Sequence, residues 1–203
     1  VGAIPGAQFT YALGLDCPTT SLCIALSSAM TAGPSGATNY AVSMVFNGTS
    51  WTSTTITQSG FNDISLYALD CVSATFCAAS GAAGLNAGPS PIAATYDGTS
   101  WTLANVTGLT GTGVGGSTGA GSIICLSTTN CVGASTMSTG SRTNHQYGVK
   151  YDGTSWTATY LGANIDPGNG GFAGGIDCPA ANLCFASGRN VLSDGTSYAT
   201  MST

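Results

Sequence analysis

Leu69-Asp70-Cys71-Val72-Ser73-Ala74-Thr75-Phe76-Cys77-Ala78-Ala79-Ser80 is the stretch whose reading decides the fold. Two short apolar runs flank a Ser-Ala-Thr turn, and a cysteine closes each run. That pattern predicts a β-hairpin with a disulfide across it. Nineteen residues after Cys77 comes Tyr96, followed by Asp97-Gly98-Thr99-Ser100-Trp101. The Asp-Gly pair predicts a second hairpin turn, with the tryptophan opening the strand that leaves it.

The same unit recurs along the chain. The cysteine pairs Cys17/Cys23, Cys71/Cys77, Cys125/Cys131 and Cys178/Cys184 follow one another at steps of 54, 54 and 53 residues. The turn recurs as Asn47-Gly48-Thr49-Ser50-Trp51, Asp152-Gly153-Thr154-Ser155-Trp156 and Asp194-Gly195-Thr196-Ser197-Tyr198. Before each turn lies a period-two strand, as in Val42, Met44, Phe46 or Tyr147, Val149, Tyr151. Four units of about fifty residues read as a repeat architecture. Their boundaries fall near 11–57, 61–107, 119–161 and 172–203, with residues 1–10 as an extra or donor strand.

Four strands in each of four repeats lead to an all-β, four-bladed β-propeller as the expected fold. A β-solenoid of stacked hairpins and a two-sheet sandwich are the alternatives. The fourth repeat is short between its second and third strands, where Arg189-Asn190 stands in place of a longer loop. The Asp-Gly turn before a tryptophan resembles the Asp-box of sialidase-like propellers, with one residue fewer between Asp97 and Trp101 than that motif has. The cysteine hairpin is also similar to tandem repeats of secreted bacterial propellers of unassigned role. Both resemblances concern fold and imply no activity.

Composition bounds the function. Charged residues make up 5 % of the 203 residues, against roughly 25 % in ordinary globular domains. There is no Glu, and the bases are Arg142, Lys150 and Arg189. A net charge of −5 with three bases is unsuited to nucleic acid or to an anionic membrane surface. No run of eighteen apolar residues predicts a membrane span. Eight cysteines in four equal local pairs predict four disulfides, hence a secreted or cell-surface location. C-x5-C pairs lacking a suitably spaced His are poor zinc sites, and no cofactor is expected.

Catalysis finds little material. Sialidase-like chemistry needs an arginine cluster and a Tyr/Glu pair, and ordinary glycosidases need two facing carboxylates. Six of the eight Asp occupy repeated positions: Asp16, Asp70 and Asp177 before a cysteine, and Asp97, Asp152 and Asp194 in turns. Asp63 and Asp166 remain, with no evident partner. His145, the one histidine, is expected in a loop, and no nucleophile-elbow sequence surrounds any Ser. Asn164, Asp166 and Asn169 offer oxygen ligands in a glycine-rich loop, which an Asx turn explains more simply. Trp51, Trp101, Trp156 and Tyr198 are candidate sugar-stacking platforms, one per repeat, or else core residues. Asn47 and Asn105 begin glycosylation sequons.

The expectation is therefore a non-catalytic, secreted structural or surface-assembly subunit that associates with itself. Low charge removes the repulsion that keeps proteins apart, and an N-terminal strand could extend a neighbour's sheet. A lectin-like module binding glycans through the repeated aromatics is the alternative.

Overall fold

A computed structural model describes residues 7, 9–33, 36–84, 90–108, 119–139, 143–160, 170–191 and 197–202. Among them the chain is all-β, with fifteen strands and no helix. No helix is long and apolar enough to cross a membrane. Strands β1 (Phe9–Thr19), β2 (Leu22–Gly33), β3 (Gly36–Phe46) and β4 (Trp51–Thr55) form the first antiparallel sheet in sequence order. The second sheet is β5 (Ser65–Ser73), β6 (Phe76–Ala83), β7 (Ser90–Tyr96) and β8 (Trp101–Asn105). The third is β9 (Gly119–Ser127), β10 (Asn130–Thr139), β11 (Thr143–Tyr151) and β12 (Trp156–Tyr160). The fourth has three strands, β13 (Gly170–Ala180), β14 (Leu183–Val191) and β15 (Ser197–Ser202).

Three local expectations change. Phe9 and Thr10 belong to β1, so only residues before them remain for a separate N-terminal segment, and residues 1–6 and 8 lie outside the described residues. Arg189 and Asn190 do not form a shortened loop, because β14 runs through them to Val191. The strand carrying Tyr198 pairs directly with β14, Asn190 opposite Tyr198. It thus takes the third position of its sheet, and among the described residues the fourth repeat has three strands where four were expected.

All four cysteine pairs are disulfides, each closing the first hairpin of its repeat: Cys17–Cys23, Cys71–Cys77, Cys125–Cys131 and Cys178–Cys184. The four are not equivalent in their surroundings, as identical spacing had implied. Cys71 faces Cys77, and Cys125 faces Cys131, as register partners in the β5–β6 and β9–β10 ladders. Cys17–Cys23 and Cys178–Cys184 hold the same place in their hairpins, one step beyond the pairs Asp16–Ile24 and Asp177–Phe185, at the same Cα separation of 4.0 Å. Cys77 and Cys131 are fully buried, whereas Cys23 and Cys184 are only half-buried. Cys77 packs with Ile24 of the sheet in front of it. Cys23 occupies the same place in the first sheet, which has no sheet in front.

The Asx turns close the third hairpins. Asp97 Oδ1 accepts from the Thr99 and Ser100 backbone N–H groups at 2.8 and 2.7 Å and from the Thr99 hydroxyl at 2.7 Å. Asn47 and Asp152 repeat this arrangement. Gly98 holds φ 96°, a conformation the turn requires and side chains resist. Asp97 itself does not adopt positive φ. The loop is therefore a four-residue turn built on a side-chain acceptor rather than a two-residue primed turn.

The sheets stack in chain order. The first strand of each sheet packs on the sheet before it, β5 on β1–β3, β9 on β5 and β6, and β13 on β9–β11. Leu26 and Ala41 of the first sheet share a core with Leu66, Ala79, Ile92, Ala94 and Leu103 of the second. The opposite face of the second sheet, through Ala68, Ala78 and Ala93, shares a core with Ile123, Val149, Trp156 and Ala158 of the third. The connecting segment 56–64 belongs to the packing: Ile56 and Ile64 are buried, and the Gln58 amide bonds both backbone groups of Leu103. Among the described residues the first and fourth sheets do not pack on one another, so the stack is open at both ends.

Candidate functional site

The open ends are where the structure departs from its own repeat. A cross-strand row in the second sheet runs Leu69–Ala79–Ala94–Leu103, and in the third Ile123–Gly133–Val149–Ala158. Both rows face the preceding sheet and enter its core. The matching row of the first sheet is Leu15–Ala25–Met44–Ser53, and no sheet precedes it. Leu15 is 64 % exposed. Ala12, Leu13, Gly14, Leu15, Ala25, Met44 and Trp51 line an apolar groove of about 470 Å³ on that face.

The repeated aromatics follow the same rule. Each packs on the aromatic that precedes its turn: Phe46–Trp51 at 5.4 Å, Tyr96–Trp101 at 5.2 Å and Tyr151–Trp156 at 4.8 Å between centroids. Trp156 is buried against the second sheet, and Trp101 packs against two clusters shared with the first. Trp51 is 37 % exposed, since among the described residues no sheet packs on that face. The side chain of Tyr198 lies outside the described residues. The four aromatics are therefore not equivalent platforms, and Trp51 is the open one among the three described.

At the other end, the fourth sheet presents the face that earlier sheets use to cover their successors. Asp177 pairs across the ladder with Phe185, as Asp16 does with Ile24 and Asp70 with Ala78. Ile24 and Ala78 are fully buried, whereas Phe185 and its neighbour Leu183 are about 40 % exposed (39 % and 41 %).

A second repeated device joins the sheets. In the first two repeats the Asp before the first cysteine reaches the backbone of the next repeat. Asp16 Oδ2 accepts the Cys71 N–H at 2.7 Å, and Asp70 Oδ2 accepts the Cys125 N–H at 2.6 Å. The third repeat has Ile124 in that place and cannot continue the series. Cys178 N–H turns instead to its own neighbour, Asp177 Oδ1, at 2.9 Å. Cys17 does the same with Asp16 Oδ1 at 2.7 Å. Burial raises the Asp70 pKa, with the Cys125 hydrogen bond acting against it and the nearby Asp16 charge adding to the rise.

The remaining candidates have mostly structural surroundings. Asp63 is buried at φ 50°, and its Oδ1 accepts from the backbone and side-chain N–H groups of Asn39. His145 lies in β11 opposite Met137 rather than in a loop. Asn164, Asp166, Asn169 and Asp194 lie outside the described residues. Asn47 and Asn105 are exposed, at a turn and at the end of β8. Among the described residues no group of three His, Cys, Asp or Glu converges on a metal position. The open faces themselves were not legible as sites, since their residues match buried counterparts in the other repeats.

No family model and no curated protein sequence matches the chain. Among solved structures, its fold is similar to that of an N-acetylgalactosamine deacetylase from F. plautii, crystallised with blood group B trisaccharide. The TM-score is 0.52 at 10 % identity, covering 98 % of this chain and 73 % of the other. At this identity the likeness concerns fold alone.

Proposed function

We propose that this chain is a secreted, non-catalytic repeat subunit of the β-propeller type that acts in an extracellular structural or surface assembly. The observation that carries the reading is the apolar groove beside Leu15, Met44 and Trp51, where Leu15 is 64 % and Trp51 37 % exposed, at positions matching Leu69, Ala94 and Trp101, which pack into the core of the second sheet. Apolar patches of this kind mark association surfaces. Four disulfides suit an oxidising exterior. Low charge leaves little repulsion between copies.

Mass-resolved light scattering with negative-stain microscopy on unreduced protein tests the reading. Filaments, tubes or sheets are expected. A monomer at all concentrations overturns it. The second reading is a glycan-binding module, favoured by the exposed ring of Trp51 beside an apolar groove. Binding on a glycan array, lost in Trp51→Ala, would support that module, and an array with no hits would remove it.

A further inference from the structure

We propose that the fourth sheet of one copy seats on the first sheet of a second copy, head to tail, repeating the packing that joins sheets within the chain. This rests on the self-assembly reading above and names its contact. Each open face is one half of an interface already present between neighbouring sheets. Phe185 and Leu183 stand where Ala78 and Phe76 of the second sheet face the third. Leu15 and Trp51 stand where Leu69 and Trp101 meet the first. The seating would cover about 40 % exposed phenylalanine and leucine with the apolar groove of the partner copy.

The hydrogen bonding has a template as well. Asp16 uses Oδ1 for its own cysteine N–H and Oδ2 for the cysteine N–H of the next repeat. Asp177 uses Oδ1 for Cys178, and Oδ2 has no partner among the described residues. In the assembly the Cys17 N–H of the second copy leaves its own Asp16 Oδ1 for Asp177 Oδ2, as the Cys71 N–H bonds Asp16 of the repeat before it. The contact is heterologous, so an open assembly keeps one free head at one end and one free tail at the other. Growth then gives a filament or a ring according to the rotation between copies.

Two single-face variants test the contact. Leu15→Asp blocks the head and Phe185→Asp blocks the tail. Each variant should remain folded, with the wild-type far-UV circular dichroism spectrum. By light scattering, wild type is expected to grow with concentration and each variant alone to stay monomeric. Their equimolar mixture should stop at a dimer, because it has one working head and one working tail. Asp177→Ala, a milder change, should weaken association only a few-fold, because the Cys17 N–H keeps Asp16 Oδ1 as its acceptor. If both variants assemble like wild type, the contact is wrong while self-assembly stands. A mixture that stays monomeric also overturns the contact. A monomeric wild type overturns the contact and the self-assembly reading together, including the case where the two faces close within one chain.

Discussion

Asp70 Oδ2 accepts the backbone N–H of Cys125 at 2.6 Å, across a separation of fifty-five residues. The partner is one residue more than a repeat away, so the bond ties the second sheet to the third. Asp16 and Cys71 make the same link between the first and second sheets. The two links differ in what stands next to the acceptor's partner. Cys71 follows Asp70, whereas Cys125 follows Ile124.

Removing the two carboxylates should therefore cost different amounts. In Asp16→Ala the Cys71 N–H can turn to Asp70, as Cys178 turns to Asp177. In Asp70→Ala the Cys125 N–H has only Ile124 beside it and is left without an acceptor. An orphaned donor costs about 1–3 kcal/mol. Urea unfolding should show the larger loss for Asp70→Ala, with Asp70→Asn recovering most of it. Equal losses would refute the fallback bond.

The tryptophans separate covered from uncovered faces. Trp156 is 2 % exposed, and Trp156→Ala should lose about 3–5 kcal/mol by cavity formation. Trp51 keeps contact with Phe46 but little else of the kind, and Trp51→Ala should lose about 1 kcal/mol or less. The check is the denaturation midpoint at a concentration where the protein is monomeric. A comparable loss in both would mean that Trp51 is covered in the isolated chain.

The Asx turns predict an acid limit. Hydrogen bonds from the Ser100 backbone, then from the Thr99 side chain and backbone, push the Asp97 pKa well below its ordinary 3.8. Ser155 and Thr154 do the same for Asp152. A lowered folded-state pKa contributes stability that is present above the unfolded value and is lost as pH falls below it. The thermal midpoint should drop as pH falls from about 4. Asn47 holds the same turn without titrating. The double variant Asp97→Asn, Asp152→Asn should thus keep the neutral-pH midpoint and flatten the acid drop. Asp70 runs the opposite way, its raised pKa favouring the protonated form, and the double variant exposes that residual trend. An acid drop as steep as wild type would show that these turns are not its source.

Gly81 lies in β6 opposite Leu66, at the bulge formed between Leu66 and Ala68. A Cβ there would collide with the Ser65 carbonyl oxygen, a backbone atom that cannot rotate away. Gly81→Ala should destabilise by about 1–3 kcal/mol through overpacking. Gly60→Ala meets no neighbouring atom but sits at φ 89°, so its loss should come from the turn alone and leave the sheet core intact. Near-UV circular dichroism of the folded variants distinguishes the two, and an unchanged stability for Gly81→Ala would remove the close-packing argument.

Much of this architecture is written in local spacing. Cysteines six apart, a four-residue Asx turn and a period-two strand each act over a few residues, so the hairpins, the disulfides and the repeat could be read from the chain alone. How deeply each disulfide lies could not, since Cys77 and Cys23 share one local pattern and differ only in whether a sheet stands in front. The strand count of the fourth repeat was equally hidden. Pairing of Ser197–Ser202 directly with β14 is a choice between two possible partners, and only the assembled sheet makes it. The roles of Asp16 and Asp70 were obscured in the same way, because an acceptor fifty-five residues from its donor leaves no local pattern. Burial of the tryptophans is the clearest division. The sequence determined that one aromatic follows each turn, through a repeat that copies the same short-range chemistry. Tertiary structure alone decided that Trp156 is core and Trp51 is surface, because burial depends on whether another sheet lies in front, and among the described residues the first sheet has none.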